Sequence, residues 1–248
     1  MSVLKKPEQI ESMVKAGRLV ALAHQAIKAA VKPGVSSRDL DEIAEKVIRD
    51  GGGKPAFKGY HGFPATICAS VNEEVVHGIP NRRKLEDGDI ISVDIGAIID
   101  GYYGDSAWTY AVGTVKPEVA KLLEVTEASL YAGIAAARPG GHVGDIGAAV
   151  EAVVNQAGFG IVRDFVGHGI GTSLHESPQI PNFKMDDPGP VLRDGEALAI
   201  EPMVNIGTHL VKIKKNGWTV VTADGSWSAH FEHTIVIRDG EPVITTRL

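Results

Sequence analysis

The hydrophobic residues of the chain follow a helical spacing in some stretches and a strand spacing in others, and this order occurs twice. Apolar positions recur every three to four residues in four stretches, which predicts helices over residues 7–31, 37–50, 117–137 and 143–157. Shorter apolar runs predict strands at Thr66–Val71, Ile90–Ile95, Tyr102–Val112, Ala197–Val204, Leu210–Ile213, Trp218–Thr222 and Phe231–Ile237. The predicted order is therefore two helices followed by strands, and this order then occurs a second time.

The two halves also align with each other at a nearly constant spacing. Pro33-Gly34 matches Pro139-Gly140 at a spacing of 106 residues. Leu85-x-Asp87-Gly88 matches Leu192-x-Asp194-Gly195 at a spacing of 107 residues. A helix-rich chain can align with itself by chance, which is the alternative to a true repeat.

A true repeat predicts an α+β fold with a pseudo-two-fold axis. The αα-β halves would cover about 1–112 and 113–248, and both would contribute strands to one curved antiparallel sheet with the helices outside. We therefore predict one domain over residues 1–248, with a site between the halves that receives an acid from each.

Asp94 lies inside an otherwise apolar strand, where aspartate is rare. An edge strand with Asp94 facing water is the simpler alternative. However, Asp100-Gly101 is a strong hairpin signal, and a turn there brings Asp105 to within about two residues of facing Asp94. We expect a small β-bulge to close this difference. Neighbouring carboxylates repel unless they share a proton or a cation.

Two glutamates repeat this pattern in the second half. Glu201 follows an apolar run and precedes Pro202, and Glu232 enters the last apolar strand. Four acidic residues in apolar segments are more than water-facing edge strands would explain. An oxygen-rich cluster of this kind suits divalent metal ions.

Three histidines lie beside glycines or close to these motifs. His168 lies between two glycines, which let the backbone and a ligand approach closely, while His77 precedes a glycine and His175 follows seven residues after His168. Loop histidines without a function are the alternative for each. The remaining six have weaker cases: His24, His61, His142, His209, His230 and His233. His24 is expected to pack in or on the first helix, and His233 to point away from the face that carries Glu232.

Composition narrows the class of protein. The 248 residues are 44% hydrophobic with a net charge of −6 and no basic stripe, so no direct nucleic-acid partner is expected. Cys68 is the only cysteine, which fits a reducing compartment. No apolar stretch suits a signal peptide or a membrane helix, so we expect a cytoplasmic protein without a membrane partner.

In order and spacing, the motifs resemble the type I methionine aminopeptidases of the short bacterial form across essentially the whole chain. The matching stretches are Gly59-Tyr60-His61-Gly62, Asn72-Glu73, His77-Gly78-Ile79-Pro80, Ser92-Val93-Asp94-Ile95-Gly96, Gly104-Asp105-Ser106-Ala107, Gly167-His168-Gly169-Ile170-Gly171, His175-Glu176, Ile200-Glu201-Pro202-Met203 and Glu232-His233-Thr234.

The resemblance implies the pita-bread fold and two divalent metal ions per chain. Co, Mn, Fe and Zn all suit such a site. Asp94 would chelate one ion, His168 and Glu201 would hold the other, and Asp105 and Glu232 would bridge the two. We expect the ion held by His168 and Glu201 to bind more tightly than its neighbour.

The resemblance also implies removal of the N-terminal methionine from peptides and nascent chains near the ribosome, by a monomer that prefers a small second residue. Glu201 would move the proton, His175 would stabilise the oxyanion and His77 would contact the next amide. The methionine pocket would comprise Tyr60, Phe63, Cys68, His77 and Trp218, for which ordinary core packing is the alternative. Phe57 and Leu174 depart from the best-known members, which leaves the pocket's shape open.

Two rival functions remain. An enzyme of the same fold could cleave before proline, as prolidase and aminopeptidase P do. A non-catalytic binding protein could also use this fold, but such relatives lose metal ligands, and all five ligand positions are retained here.

Overall fold

The computed structural model describes residues 5–248, and its four α-helices agree with the predicted helices to within about one residue at each end. They are α1 Pro7–Ala30, α2 Ser37–Asp50, α3 Pro117–Ala136 and α4 Val143–Ala157. Five strands precede α3: β1 Lys54–Pro55, β2 Ile67–Val71, β3 Glu74–Val76, β4 Ile90–Ile99 and β5 Tyr102–Ala111. The others are β6 Gly160–Ile161, β7 Gly167–Gly169, β8 Glu176–Ile180, β9 Ala197–Ile200, β10 Met203–Asn205, β11 Val211–Ile213, β12 Val220–Thr222, β13 Ser228–His230, β14 His233–Arg238 and β15 Glu241–Ile244. None of these helices combines the length and apolar character needed to cross a bilayer.

The predicted antiparallel pairing is confirmed, but the strands form four hydrogen-bonded groups rather than one continuous ladder. In the first half, β4 pairs with β5 along its whole length and with β2 and β1 over two successive stretches, while β3 pairs with β12 of the second half. The longest group has the order β15-β14-β9-β7-β8, and a further group has the order β13-β10-β6. Because strands of both halves pair with each other, the cavity described below is lined by both.

The hairpin at Asp100-Gly101 forms as predicted, with left-handed φ values of 52° and 81° at its two central residues. The prediction of a β-bulge is wrong. The β4–β5 register is continuous, so Asp94 faces Ala107 and Asp105 faces Gly96. Asp94 and Asp105 are instead diagonal neighbours on one face of the hairpin, a separation that two side chains can bridge without a bulge.

Two predicted strands are each divided at an acidic residue. Ala197–Val204 is not one strand, because the chain leaves β9 after Ile200 and enters β10 of a different group at Met203. Pro202 has no N–H for a ladder, which is the physical reason for the break. The strand predicted at Phe231–Ile237 begins only at His233, after a second break between β13 and β14. Glu201 and Glu232 therefore lie where the chain passes between groups of strands.

Equivalent hydrogen bonds mark the repeat. The Gly34 N–H donates to the Leu85 carbonyl at 2.8 Å, as the Gly140 N–H does to the Leu192 carbonyl at 2.9 Å. The helix caps repeat as well. The Ser36 N–H donates to the Asp39 carboxylate at the start of α2, and the His142 N–H donates to Asp145 at the start of α4. These pairs have the spacings of 106 and 107 found in the sequence, so chance alignment is excluded.

Each half has its own hydrophobic core, and a smaller cluster connects the two. The connecting cluster includes Met13 of α1, Phe63 and Cys68 from the first half, and Leu174 and Val236 from the second. Because this cluster lies beside the carboxylates, it forms the apolar wall of the cavity.

Candidate active site

The Asp94 and Asp105 carboxyl groups come within hydrogen-bonding reach of each other on the β4–β5 hairpin. Burial raises the pKa of Asp94 well above its usual range, and the nearby Asp105 and Glu201 add to this effect. Burial also raises the pKa of Asp105 to about 7. Two buried carboxyl groups at this spacing repel when both ionise, so the pair favours a proton or a cation between them.

A seam of hydroxyl groups joins β5 to the end of the chain and brings Glu232 to Asp105. The Ser106 hydroxyl donates to the Glu232 carbonyl at 2.6 Å, and the Thr234 hydroxyl donates to the Asp105 carbonyl at 2.8 Å. The Glu232 N–H in turn donates to the Ala107 carbonyl at 2.8 Å. These contacts replace a regular ladder and fix the backbone on both sides of the site.

His168 lies on β7, where its flanking glycines allow the neighbouring strands to approach closely. A Cβ on Gly167 would lie 2.4 Å from the Ala199 carbonyl oxygen, and one on Gly169 would lie 2.2 Å from that of Ser177. The His168 Nδ1 lies 2.9 Å from the Gly169 carbonyl, so this nitrogen carries the proton. Its Nε2 lies 3.5 Å from Glu201 Oε1 and keeps a free lone pair.

The five predicted ligands converge on one buried cluster. One donor atom each from Asp105, His168 and Glu232 lie within 4.8 Å of one another. Asp94 Oδ1, Asp105 Oδ1 and Glu232 Oε1 are buried without a hydrogen-bond partner within residues 5–248. Burial and the neighbouring carboxylates raise the pKa values of Glu201 and Glu232 well above the usual range. Unpartnered oxygens beside a neutral imidazole fit divalent cations, which supply the charge that the cluster lacks.

A cavity of about 300 Å³ connects this cluster to an apolar pocket. All five residues predicted for the methionine pocket line it, namely Tyr60, Phe63, Cys68, His77 and Trp218. The sequence analysis gave no pocket role to four further lining residues: His61, Val76, Phe165 and Val166. These four lie within a named motif or at most two residues from a named motif or residue, so their neighbours were the available signal.

His175 and His77 lie at the cavity wall. The Tyr60 hydroxyl lies 2.8 Å from His175 Nδ1, and the rings of His168 and His175 are 4.3 Å apart. Burial, with a smaller contribution from the nearby His175, lowers the pKa of His77 to about 4. The pKa of His175 is lowered by burial and by His61. Both imidazoles are therefore neutral near pH 7.

His230 belongs to this site although the sequence analysis gave it no role. Its side chain is 2% exposed, and its Nε2 lies 3.9 Å from Glu201 Oε2 and 4.0 Å from Glu232 Oε2. The usable signal was its position two residues before Glu232. As predicted, His233 points away from the cluster and contacts Thr246, and His24 packs against Tyr110.

Comparisons with known proteins agree with this geometry. A model of metallopeptidase family M24 matches residues 11–239. Methionine aminopeptidase 1 of Bacillus subtilis (strain 168) is 52% identical to the chain over 248 residues, covering 100% of both sequences. The chain belongs to metallopeptidase family M24.

Two solved structures resemble the chain to different degrees, one in fold and sequence and the other in fold alone. The crystal structure of methionine aminopeptidase from Thermotoga maritima has a TM-score of 0.98 and 45% identity, with 100% of both chains covered. Prolidase from Pyrococcus furiosus has a TM-score of 0.80 and 22% identity, and the chain covers 66% of it. The prolidase likeness shows the fold alone. The predicted pita-bread fold and the resemblance to the methionine aminopeptidases are confirmed.

A buried ion pair fixes the loop of this M24 chain that carries His175. The Lys5 Nζ lies 2.7 Å from Glu176 Oε2, with the two side chains only 2% and 12% exposed. The other Glu176 oxygen accepts from the N–H groups of Thr172 and Ser173. Burial raises the pKa of Glu176, but Lys5 and these N–H groups outweigh it and hold the pKa below its usual value.

We expect Lys5→Met to lower the free energy of unfolding by about 3 kcal/mol, because it leaves a buried carboxylate without its cation. Urea unfolding measures the change. The matched control is Lys58→Met, which removes a surface pair with Glu45 whose side chains are 45% and 23% exposed. That variant should change stability by at most about 1 kcal/mol. Equal effects of the two substitutions would contradict a tethering role for Lys5.

The raised carboxyl pKa values also predict how metal stabilises this M24 fold at different pH. A carboxyl group with a raised pKa in the folded state favours folding fully below about pH 4. That contribution is lost as pH rises through the folded-state value, which is about 7 for Asp105. The metal-free protein therefore loses stability as the pH rises from about 4 to about 7, and bound cations offset this loss.

Saturating Co²⁺ should thus raise the Tm only slightly at pH 5 and much more at pH 7.5. Burial lowers the pKa of His168 to about 4, so this ligand stays neutral across that window. Calorimetry with Co²⁺ and with chelator at each pH measures the increment. An increment that does not change with pH would contradict the protonated state inferred for the metal-free cluster.

Proposed function

We propose that this protein is a metal-dependent aminopeptidase that removes the N-terminal methionine from peptides and nascent proteins. The observation that carries the proposal is one cavity, lined both by an acidic cluster suited to metal ions and by apolar and aromatic side chains. Similarity to methionine aminopeptidases over the full length supports the substrate assignment.

The ligand assignment is part of this proposal. Asp94 would chelate one divalent ion, His168 and Glu201 would hold the second, and Asp105 and Glu232 would serve both. The unpartnered oxygens of Asp94, Asp105 and Glu232 support this arrangement. Co, Mn, Fe and Zn are the candidate ions, since carboxylate sites with one histidine accept several of them. His168 makes the two positions chemically different, so we expect its ion to bind more tightly.

Two bound divalent ions would supply an activated water and polarise the carbonyl of the first peptide bond. Glu201 takes up the proton released from that water and returns it to the leaving amine. With the Tyr60 hydroxyl donating to His175 Nδ1, the imidazole proton resides on Nε2. His175 then donates from Nε2 to the carbonyl oxygen as negative charge develops, while His77 contacts the following amide.

The apolar part of the cavity accounts for the choice of methionine. Phe63 and Trp218 meet edge to face with ring centroids 5.1 Å apart, and Cys68 lines the same cavity. A flexible thioether fits such an aromatic wall well, whereas a branched side chain fits it poorly. The resemblance to the family supports a small second residue in the substrate.

The setting of the reaction is also proposed. We infer a monomeric, cytoplasmic enzyme that meets nascent chains near the ribosome, and the resemblance to the short bacterial methionine aminopeptidases supports this. The single cysteine, Cys68, is buried and unpaired, in accord with a reducing compartment.

Peptide hydrolysis tests the proposal directly. The purified protein is offered Met-Ala-Ser and Ala-Pro peptides, with each divalent metal and with chelator. We expect methionine release from Met-Ala-Ser that requires metal and stops with chelator. Cleavage of Ala-Pro alone would instead indicate a proline-specific enzyme of the same fold. No cleavage of either peptide with any metal would contradict the proposal.

A further inference from the structure

His230 has its backbone clamped beside the acidic cluster. Its N–H donates to the Thr109 hydroxyl oxygen at 3.0 Å, and the same hydroxyl donates to the His230 carbonyl at 2.8 Å. Thr109 is further bonded to Ser92 at 2.8 Å. Since these contacts fix the backbone, the imidazole has a restricted set of positions.

The Nε2 atom of His230 is buried without any hydrogen-bond partner among the described residues. Its charged neighbours are Glu201 Oε2 at 3.9 Å and Glu232 Oε2 at 4.0 Å. A buried N–H that faces two carboxylate oxygens gains by donating to them, and a small rotation of either glutamate closes the gap.

The two oxygens of each glutamate face different groups. Glu201 Oε1 lies 3.5 Å from His168 Nε2, whereas its Oε2 lies on the side of His230. The two oxygens of Glu232 also differ in their surroundings. Its Oε1 is buried without a hydrogen-bond partner among the described residues, while its Oε2 faces His230. The Oε1 atoms are thus available to a metal ion, and the Oε2 atoms are available to a donor.

We propose that His230 is a positioning residue that donates a hydrogen bond from Nε2 to the Oε2 atoms of Glu201 and Glu232. This bond turns the Oε1 atoms of both glutamates toward the metal ions. Ligating carboxylates are commonly oriented by such outer donors, whose loss costs about 10- to 100-fold in metal affinity or activity. The inference rests on the proposed metal site.

Co²⁺ binding to three forms of the protein tests this role. His230→Gln keeps an N–H donor near the Nε2 position, and His230→Leu removes it. Calorimetric titration should give a Co²⁺ affinity for His230→Gln within about 3-fold of the parent, and about 10- to 100-fold weaker binding for His230→Leu. The visible spectrum of bound Co²⁺ should change in His230→Leu alone, and kcat for Met-Ala-Ser should fall with little change in KM.

His233→Leu is the matched control, since this histidine lies on the opposite face and contacts Thr246. It should retain the parent's Co²⁺ affinity and spectrum. Should His230→Leu fail to fold, His230→Met takes its place as a variant of similar volume without a donor. Unchanged affinity in the donor-free variant would overturn the proposal. Equal loss in His230→Gln and His230→Leu would overturn it too, in favour of direct ligation by His230. A parent that binds no Co²⁺ would refute the proposed function itself, and the role of His230 with it.

Discussion

Replacing Glu232 with glutamine lowers methionine release from Met-Ala-Ser by about 10³-fold or more, to the level measured with chelator. Glu232 is 2% exposed, and its Oε1, beside Asp105 and His168, is buried with no hydrogen-bond partner in the described part of the chain. A glutamine keeps the shape but removes the charge and one ligand oxygen that both ions are proposed to share. Titration should therefore find fewer than two bound ions per chain.

The same substitution should raise the Tm of the metal-free protein. Burial raises the pKa of Glu232, and repulsion from Asp105, Glu201 and Asp94 adds to this effect, so a neutral side chain relieves that repulsion. If Glu232→Gln is less active but more stable than the parent, misfolding is excluded as the cause of the lost activity. Glu241→Gln, an exposed carboxylate paired with Arg138, is the matched control and should change neither property. Full activity with two bound ions in Glu232→Gln would contradict the bridging assignment.

Local signals were sufficient to predict the helices and the first hairpin. Ser36 caps α2 through a reciprocal bond with Asp39, and Leu40, Ala44 and Ile48 form its buried face. Each of these signals lies within a few residues of what it determines. The turn at Asp100-Gly101 is also determined by its own two residues, because both adopt the positive φ that this turn requires.

The wrong predictions concern how strands pair. The apolar run along Ala197–Val204 fits one strand, and only the pairing of β9 with β14 and of β10 with β13 shows that the chain changes partners at Glu201. The expected bulge near Asp94 is unnecessary because Asp94 and Asp105 are diagonal neighbours in a continuous register. A pattern of apolar residues does not show which strands pair with each other.

The candidate site was predictable where an acid contradicted its apolar surroundings. Asp94, Asp105, Glu201 and Glu232 each stand out in this way, and the structure brings all four together with His168. His230 did not stand out, because a histidine in an apolar segment has no comparable burial cost when it is neutral. Its significance depends on the two carboxylates that face it from separate strands.

Replacing His175 with alanine lowers kcat for Met-Ala-Ser by about 10²- to 10³-fold, the usual effect of losing one oxyanion donor. Metal content should stay at the parent level, because His175 contributes no atom to the group formed by Asp105, His168 and Glu232. Tyr60→Phe should lower kcat less, since it removes only the hydroxyl that lies 2.8 Å from His175 Nδ1 and fixes the ring's tautomer.

Turnover and metal content measured on the same samples separate a donor from a ligand. His209→Ala, an exposed histidine that does not line the cavity, is the matched control and should behave as the parent. If His175→Ala lost metal in proportion to activity, His175 would be a ligand, and the short distance of 4.3 Å between its ring and that of His168 would reflect shared coordination. Activity lost with the metal retained would place His175 on the substrate side of the cluster. The hydroxyl of Tyr60 would then control the rate only through the orientation of that imidazole.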